Sequence, residues 1–338
     1  MIFLNSDNAS GMHPEILKAL GTENNKFGIP YGGDETTEEA ISLIRNLFED
    51  EEADVLFVTN GTAANVVALG AMVRQFETVI CTASAHINMD EAGAFERLTS
   101  SKLTLVPDVD GKLTIDNIKL GLKGLTSVHQ PFPKVVSIST VSETGSVYTV
   151  AEIKEIVDFA HENKMMVHVD GARLANALVA TGTTAKEYIK DTGVDILAFG
   201  GTKNGMMIGE AIVNFNRELS YALPSVRKQS MQLMSKTRFI SAMFIPYIKD
   251  NLYITNAESA NGQMKKIYEN VVNLPNVKVK NSVDANIMFI EMDDGALKRL
   301  KEIAIFNVMN PAGNYSRLVT SFNTTDKEVD RVIAAIKG

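Results

Sequence analysis

Between residues 54 and 215 the chain repeats one alternation, a short apolar run rich in β-branched residues followed by a stretch with helical spacing. "DVLFVT" (54–59) leads into "GTAANVVALGAMVRQF", and "TVICT" (78–82), "KLTLVP" (102–107) and "KVVSIST" (134–140) read as further strands. "TVAEIKEIVDFAHENK" opens with Thr149 and Glu152 at capping-box spacing and carries apolar residues at 153, 156, 157 and 160. "MMVHVD" (165–170), a helix from 171, "VDILAFG" (194–200) and "EAIVNF" (210–215) complete the series. Strands apolar on both faces need cover on both, and parallel neighbours need a crossover long enough to hold a helix. The order predicts an α/β fold, a mostly parallel sheet with helices on each side.

The texture changes after residue 216, where a Met-rich, mixed helical region runs to about 272. Shorter strand-like pieces follow ("VKVK", "ANIMFIEM", "SRLVTSF"), with helices near 294–303 and 326–337. This predicts a large domain over 1–245 and a smaller α+β C-terminal domain over 246–338.

Composition narrows the partners. A net charge of −8 argues against nucleic acid or an anionic membrane surface. The single cysteine, Cys81, has no intramolecular partner, and no Cys/His ladder suggests a metal. No basic region leads into a long apolar run at the N-terminus, and no apolar stretch approaches the roughly 18 residues of a membrane span. The expectation is a soluble, cytoplasmic protein without a metal.

Ligands of open α/β sheets gather at the carboxyl ends of the strands, and four stretches place chemically useful residues there. Gly61 and Thr62, in "TNGTAAN", offer backbone N–H groups to a phosphate, or simply begin a capped helix. Asp170 ends a strand in "HVDGARLANAL"; it either holds a proton on a heterocyclic nitrogen or caps the next helix, and Arg173 points back to the same rim. His168, two residues before it, lacks a third ligand for a metal and is expected to be a satisfied core histidine. His86, in "SAHINMDEAGA", is a loop residue or one that stacks on a planar ligand and moves protons. Lys203 lies in "AFGGTKNGMMIGEAIV" among glycines at 200, 201, 205 and 209. Either it faces water from a turn, or the glycines let the backbone approach a ligand that the lysine attacks. Each signal is weak, but pyridoxal phosphate requires the set. A lysine bonds its aldehyde, a carboxylate keeps its ring nitrogen protonated and a helix terminus holds its phosphate.

Those blocks, with "NSDNASGMHPEI", "SISTVSETGSVYTVAEI" and "SRLVTSF", resemble the low-specificity L-threonine aldolases nearly end to end. That family lies in the aspartate-aminotransferase-like, fold type I group of pyridoxal phosphate enzymes. The resemblance implies Lys203 as the cofactor-bonding lysine with Thr202 beside it, Asp170 at the ring nitrogen, and His86 stacked on the ring. It places Gly61 and Thr62 at the phosphate, and Arg173 near the ring hydroxyl and the substrate carboxylate. Ser6 and Arg317 match positions that hold the amino-acid carboxylate, a task suited to a bidentate arginine. Tyr31, in "YGGDETTEE", matches a substrate-binding tyrosine, and His129, in "HQPFPKVVS", a histidine near the substrate β-hydroxyl.

Two departures stand out. Asp-Glu-Thr-Thr replaces the family's Asp-x-Pro-Thr, and Thr-Lys-Asn-Gly replaces the Ser-Lys-Gly of many relatives. The implied reaction is retro-aldol cleavage of L-threonine or L-allo-threonine to glycine and acetaldehyde, with His86 and His129 both candidate bases. The implied assembly is a homotetramer, a dimer of dimers with sites at the dimer interface. The stretch "LPSVRKQSMQLMSKTRF" reads equally as a cross-subunit contact or a plain surface helix. Another fold type I β-eliminating amino-acid lyase would keep the same cofactor residues. A nicotinamide dehydrogenase would need a Gly-x-Gly-x-x-Gly turn after the first strand, and none is present.

Overall fold

The structure, a computed structural model, describes residues 1–123, 127–310 and 314–338. In chain order, β1 (Ile2–Phe3), α1 (Pro14–Glu23) and α2 (Glu35–Phe48) come first. They are followed by β2 (Asp54–Val58), α3 (Gly61–Met72), β3 (Glu77–Thr82), α4 (His86–Met89), α5 (Ala94–Thr99) and β4 (Lys102–Val106). Next come α6 (Ile115–Gly121), β5 (Phe132–Ser139), α7 (Val150–Glu162), β6 (Met166–Gly171), α8 (Leu174–Thr181), β7 (Ile196–Gly200) and β8 (Glu210–Asn214). Three helices, α9 (Leu223–Gln229), α10 (Arg238–Lys249) and α11 (Leu252–Val271), lead to the C-terminal part. That part holds β9 (Val277–Val279), β10 (Ile287–Met292), α12 (Asp294–Ile303), β11 (Ala304–Ile305), β12 (Asn307–Asn310), β13 (Tyr315–Val319) and α13 (Asp326–Lys337).

The main sheet has the order β2-β8-β7-β6-β5-β3-β4 and is parallel except for β8, which runs antiparallel to both its neighbours. The expected α/β architecture is therefore present. Alternate residues of each strand feed two cores: Leu56 and Val58 face one with α3, while Phe57 and Phe199 face the other with α2, α7 and α10. This double cover explains why the strands read as unbroken apolar runs. The carboxyl ends Val58, Thr82, Ser139, Gly171 and Gly200 share one edge, and β8 begins there at Glu210, opposite Gly200.

Two local expectations shift. The helix after β6 begins at Leu174 rather than at 171, because the Asp170 carboxylate accepts the Ala172 N–H at 2.9 Å and Arg173 keeps a non-helical φ of −126°. Residues 2–4, counted with the large domain from the sequence, join the C-terminal part instead. There β1 pairs in parallel with β11, and Ile2 and Leu4 pack among Met288, Leu318 and Val332. The second sheet, β12-β13-β10-β9, is antiparallel. Among the described residues, no helix is long and apolar enough to cross a membrane.

Candidate active site

Lys203 sits in a single 3-10 turn, Thr202–Asn204, just beyond the end of β7. Buried side chains clamp this turn. Glu210 accepts the Gly201 N–H at 2.8 Å, and the Asn204 amide donates to the Tyr247 hydroxyl at 2.9 Å and the Tyr253 carbonyl at 2.8 Å. Asn256 donates in turn to the Asn204 carbonyl at 2.9 Å. The adjacent glycines serve this packing. A Cβ on Gly200 would lie 2.6 Å from the Ala172 backbone, one on Gly201 would strike the Met206 sulfur, and Gly205 has φ +103°. Sequence reasoning assigned them to close approach of a ligand; the structure assigns them to close approach of the protein to itself. The ammonium of Lys203 forms no hydrogen bond or ion pair with a described residue, yet its charge acts on Asp7, Asp170, Glu210 and His86. The Thr202 hydroxyl turns inward toward the Gly209 carbonyl, at 3.5 Å.

Asp170 lies at the end of β6 on the same edge. Burial pushes its pKa up, but the Lys203 charge and the hydrogen bonds from Asn65 and the Ala172 N–H outweigh this and hold it below the ordinary carboxylate value. The Asn65 amide nitrogen bridges two carboxylates, donating to Asp170 Oδ2 at 3.0 Å and to Glu91 Oε1 at 2.8 Å. The same Glu91 oxygen lies 2.8 Å from His86 Nδ1. The ligand atoms of His86, Glu91 and Asp170 lie within 4.8 Å of one another. The Asn65 NH₂ between the two acids is a donor, so the group forms a hydrogen-bond chain rather than a cation cage. His168 is fully buried on β6 with Nδ1 bonded to Ser137 at 2.9 Å, so it is the core histidine expected, but its Nε2 is buried without a partner and it is not fully satisfied; burial lowers its pKa to about 4.

A second group flanks the lysine. Arg173 donates from Nε to Asp7 Oδ2 at 2.7 Å and from Nη2 to Asp7 Oδ1 at 3.0 Å, and Asn286 adds a third bond to Asp7 at 3.1 Å. Ser6, adjacent in the chain, accepts the Asn8 N–H at 3.1 Å. Arg317, on β13, lies within electrostatic reach of Arg173 and Asp7; burial and the Arg173 charge pull its pKa down. Its Nε is buried without a partner. At the start of α3 the Asn60 side chain caps Ala63 N–H at 2.9 Å, leaving the first N–H groups of Gly61 and Thr62 without intrahelical partners. A Cβ added at Gly61 would meet nothing within 4 Å.

The structure thus gathers Lys203, Thr202, Asp170, His86 and Arg173 at one sheet edge, with Arg317 of the second sheet in electrostatic reach of Arg173, Ser6 next to Asp7 in the chain, and Gly61 and Thr62 one helical turn from Asn65. It does not bring Tyr31 or His129 to that cluster within one chain. His129 is exposed just before β5, at the opposite end of that strand from Ser139, which pairs with Asp170. Tyr31 is half exposed with φ +64°, and the Lys228 ammonium lies 5.5 Å from its ring centre. Sequence reasoning missed Asp7, Asn65, Glu91, Glu210 and Asn286. Of these, Glu91 carried a signal, an acid five positions after His86 in a block already singled out.

These groups fit pyridoxal phosphate on the structure's own terms. An unpartnered lysine lies within electrostatic reach of a half-buried carboxylate held ionised, a half-buried guanidinium has a buried Nε without a partner, and a helix start lies beside open space. Fold and site together define a pyridoxal phosphate-dependent enzyme of fold type I. The chain belongs to the β-eliminating lyase family, whose profile matches residues 4–294. It is 36% identical over 335 residues, 98% of this chain and 96% of the relative, to a low specificity L-threonine aldolase of a Pseudomonas species. A second such protein, from Pseudomonas aeruginosa, is 39% identical over 88% of this chain and 86% of its own. The solved structure of a Leishmania major threonine aldolase superposes with a TM-score of 0.94 at 29% identity, covering 100% of this chain and 99% of that one. An alanine–glyoxylate aminotransferase from Nostoc shares the fold, with a TM-score of 0.71 at 14% identity.

Proposed function

We propose that this protein cleaves L-threonine and L-allo-threonine to glycine and acetaldehyde, as a carbon–carbon lyase of low side-chain specificity. The observation that carries the reading is the pairing of the Lys203–Asp170 edge with a buried, partner-free Arg317 Nε, in a chain matched nearly end to end by low specificity L-threonine aldolases.

Pyridoxal phosphate bound at this edge supplies an electron-withdrawing ring that accepts the electron pair released at the amino acid's Cα. Lys203 would hold the cofactor's aldehyde carbon, Asp170 its ring nitrogen and Gly61 and Thr62 its phosphate, with His86 against the ring and Thr202 beside the lysine. Arg317 and Ser6 bind the substrate carboxylate, and Arg173 lines the same side. Anchoring that carboxylate fixes rotation at Cα, so that the Cα–Cβ bond is the one aligned for cleavage. A base takes the β-hydroxyl proton, the Cα–Cβ bond breaks, and acetaldehyde departs. His86 can serve only through Nε2, because Nδ1 faces Glu91. A proton delivered to Cα completes glycine.

The same reading takes the protein as cytoplasmic and as a homotetramer built from dimers. Exposed Phe27, Ile29, Tyr31, Tyr221 and Met231 support self-association. In that assembly Tyr31 and His129 would serve the site of a neighbouring copy. Product analysis with L-threonine, L-serine and β-phenylserine tests the reaction. Glycine with the matching aldehyde is the expected result, whereas 2-oxobutanoate and ammonia from threonine would establish β-elimination instead.

A further inference from the structure

Glu91 is a fully buried carboxylate to which the reaction above gives no task. Its Oε1 accepts from Asn65 at 2.8 Å and faces His86 Nδ1 at 2.8 Å, while Oε2 is buried without a partner. The chain bends hard to place it there. Ala92 and Gly93, the next two residues, both adopt left-handed φ, +53° and +69°, before α5 starts. Left-handed backbone at a residue with a Cβ costs about 1 kcal/mol, so the turn holds Glu91 inside against local preference.

We propose that Glu91 is a positioning residue for His86: it holds the Nδ1–H of the imidazole, and so leaves Nε2 as the nitrogen that handles protons in the site. Through Asn65 the same acid is tied to Asp170, giving a continuous chain from the imidazole to the carboxylate beneath it. The groups facing His86 from the packed elements are Glu91, Glu143, Asp170 and Lys203. The hydrogen bond to Glu91 is the largest influence and favours the imidazolium. Burial opposes it, Glu143 and Asp170 add to it, and Lys203 opposes it, leaving the His86 pKa above its ordinary value. A neutral Nδ1–H tautomer accepts a proton at Nε2, and the nearby carboxylate stabilises the cation that results. The inference rests on the reading of His86 as a proton-handling group.

The test uses the cofactor-loaded protein and its Glu91→Gln variant. Diethyl pyrocarbonate acylates only neutral imidazole, so the acylation rate of the His86 peptide, followed by mass spectrometry from pH 5 to 9, reports the protonation of this histidine. In Glu91→Gln the midpoint moves to lower pH and the rate at pH 7 rises roughly twofold or more, because the carboxylate charge is gone. Threonine cleavage falls about tenfold or more in kcat, with little change in KM, since Glu91 does not touch substrate. An unchanged acylation profile overturns the proposal. A shifted profile with unchanged kcat keeps the Glu91–His86 coupling and overturns the role of His86 in catalysis, which separates the two readings. Should Glu91→Gln fail to fold, Glu91→Asp keeps the charge but shortens the reach to Nδ1. Its acylation midpoint should also move to lower pH, and an unchanged midpoint overturns the proposal.

Discussion

Arg173 grips Asp7 through two parallel hydrogen bonds of 2.7 and 3.0 Å, with both groups buried, 166 positions apart in the chain. The guanidinium expected to bind substrate is therefore already neutralised, and the unspent positive charge belongs to Arg317. Replacing Arg317 with Gln should lower kcat/KM on the order of a hundredfold, the loss of a charge-assisted pair of about 3 kcal/mol. It should leave stability intact, since burial already disfavours that charge. Asp7→Asn should do the reverse. It strands Arg173 and destabilises the fold by about 3–5 kcal/mol. Urea titration beside steady-state kinetics checks both; equal KM effects from the two variants would contradict this division of labour.

Lys203 stands free on a turn clamped from below by Glu210, Asn204 and Asn256. Borohydride reduction of the loaded enzyme should attach the cofactor to the peptide containing Lys203, and mass spectrometry should find no label elsewhere. Lys203→Ala should lose both the label and at least about a thousandfold in turnover. Labelling at another lysine, or normal turnover without Lys203, would displace it from the centre of the site.

Much of this was legible because it is local. The strands announced themselves as apolar runs; Asp170 closes one of them, and Lys203 and His86 each follow one within a few residues. What stayed hidden is set by contacts between distant segments. Asn65 meets Asp170 across 105 positions, Asn286 meets Asp7 across 279, and no periodicity encodes such pairs. The glycines around Lys203 misled for a related reason. Their absence of Cβ is visible in sequence, but what approaches them, Ala172 and Met206, is a tertiary fact. Tyr31 and His129 sit in recognisable blocks yet away from their own chain's cluster.

Glu210 gives the site a pH-dependent mount. Burial drives its pKa from an ordinary 4.5 up to about 7, with the Thr202 and Gly201 bonds and the Lys203 charge opposing. Across that window the folded protein keeps a proton that the unfolded chain releases. Stability should therefore fall as pH rises from 4.5 to 7, and the full cost, on the order of 3 kcal/mol, stands above pH 7. Glu210→Gln retains an acceptor for the Gly201 N–H but cannot ionise. In cofactor-free protein its urea midpoint should match the parent at pH 5 and exceed it at pH 8. Parallel midpoints at both pH values would show that the buried carboxylate carries no such cost.

If Tyr31 serves a neighbouring copy, two crippled variants should rescue one another. Lys203→Ala and Tyr31→Ala are each expected to be nearly inactive as pure assemblies. In a mixed dimer one site combines the intact Lys203 of one copy with the intact Tyr31 of the other, while the second site has lost both. Random mixing then restores roughly a quarter of the sites. Co-expression with two different affinity tags, followed by kinetics on the doubly purified mixed dimer, should find about half of its sites active. A mixed species no more active than either parent would mean that Tyr31 does not work across the interface. The same mixture with His129→Ala asks the question of the exposed histidine before β5, and rescue there would return it to the list of bases from which its position in the single chain removes it.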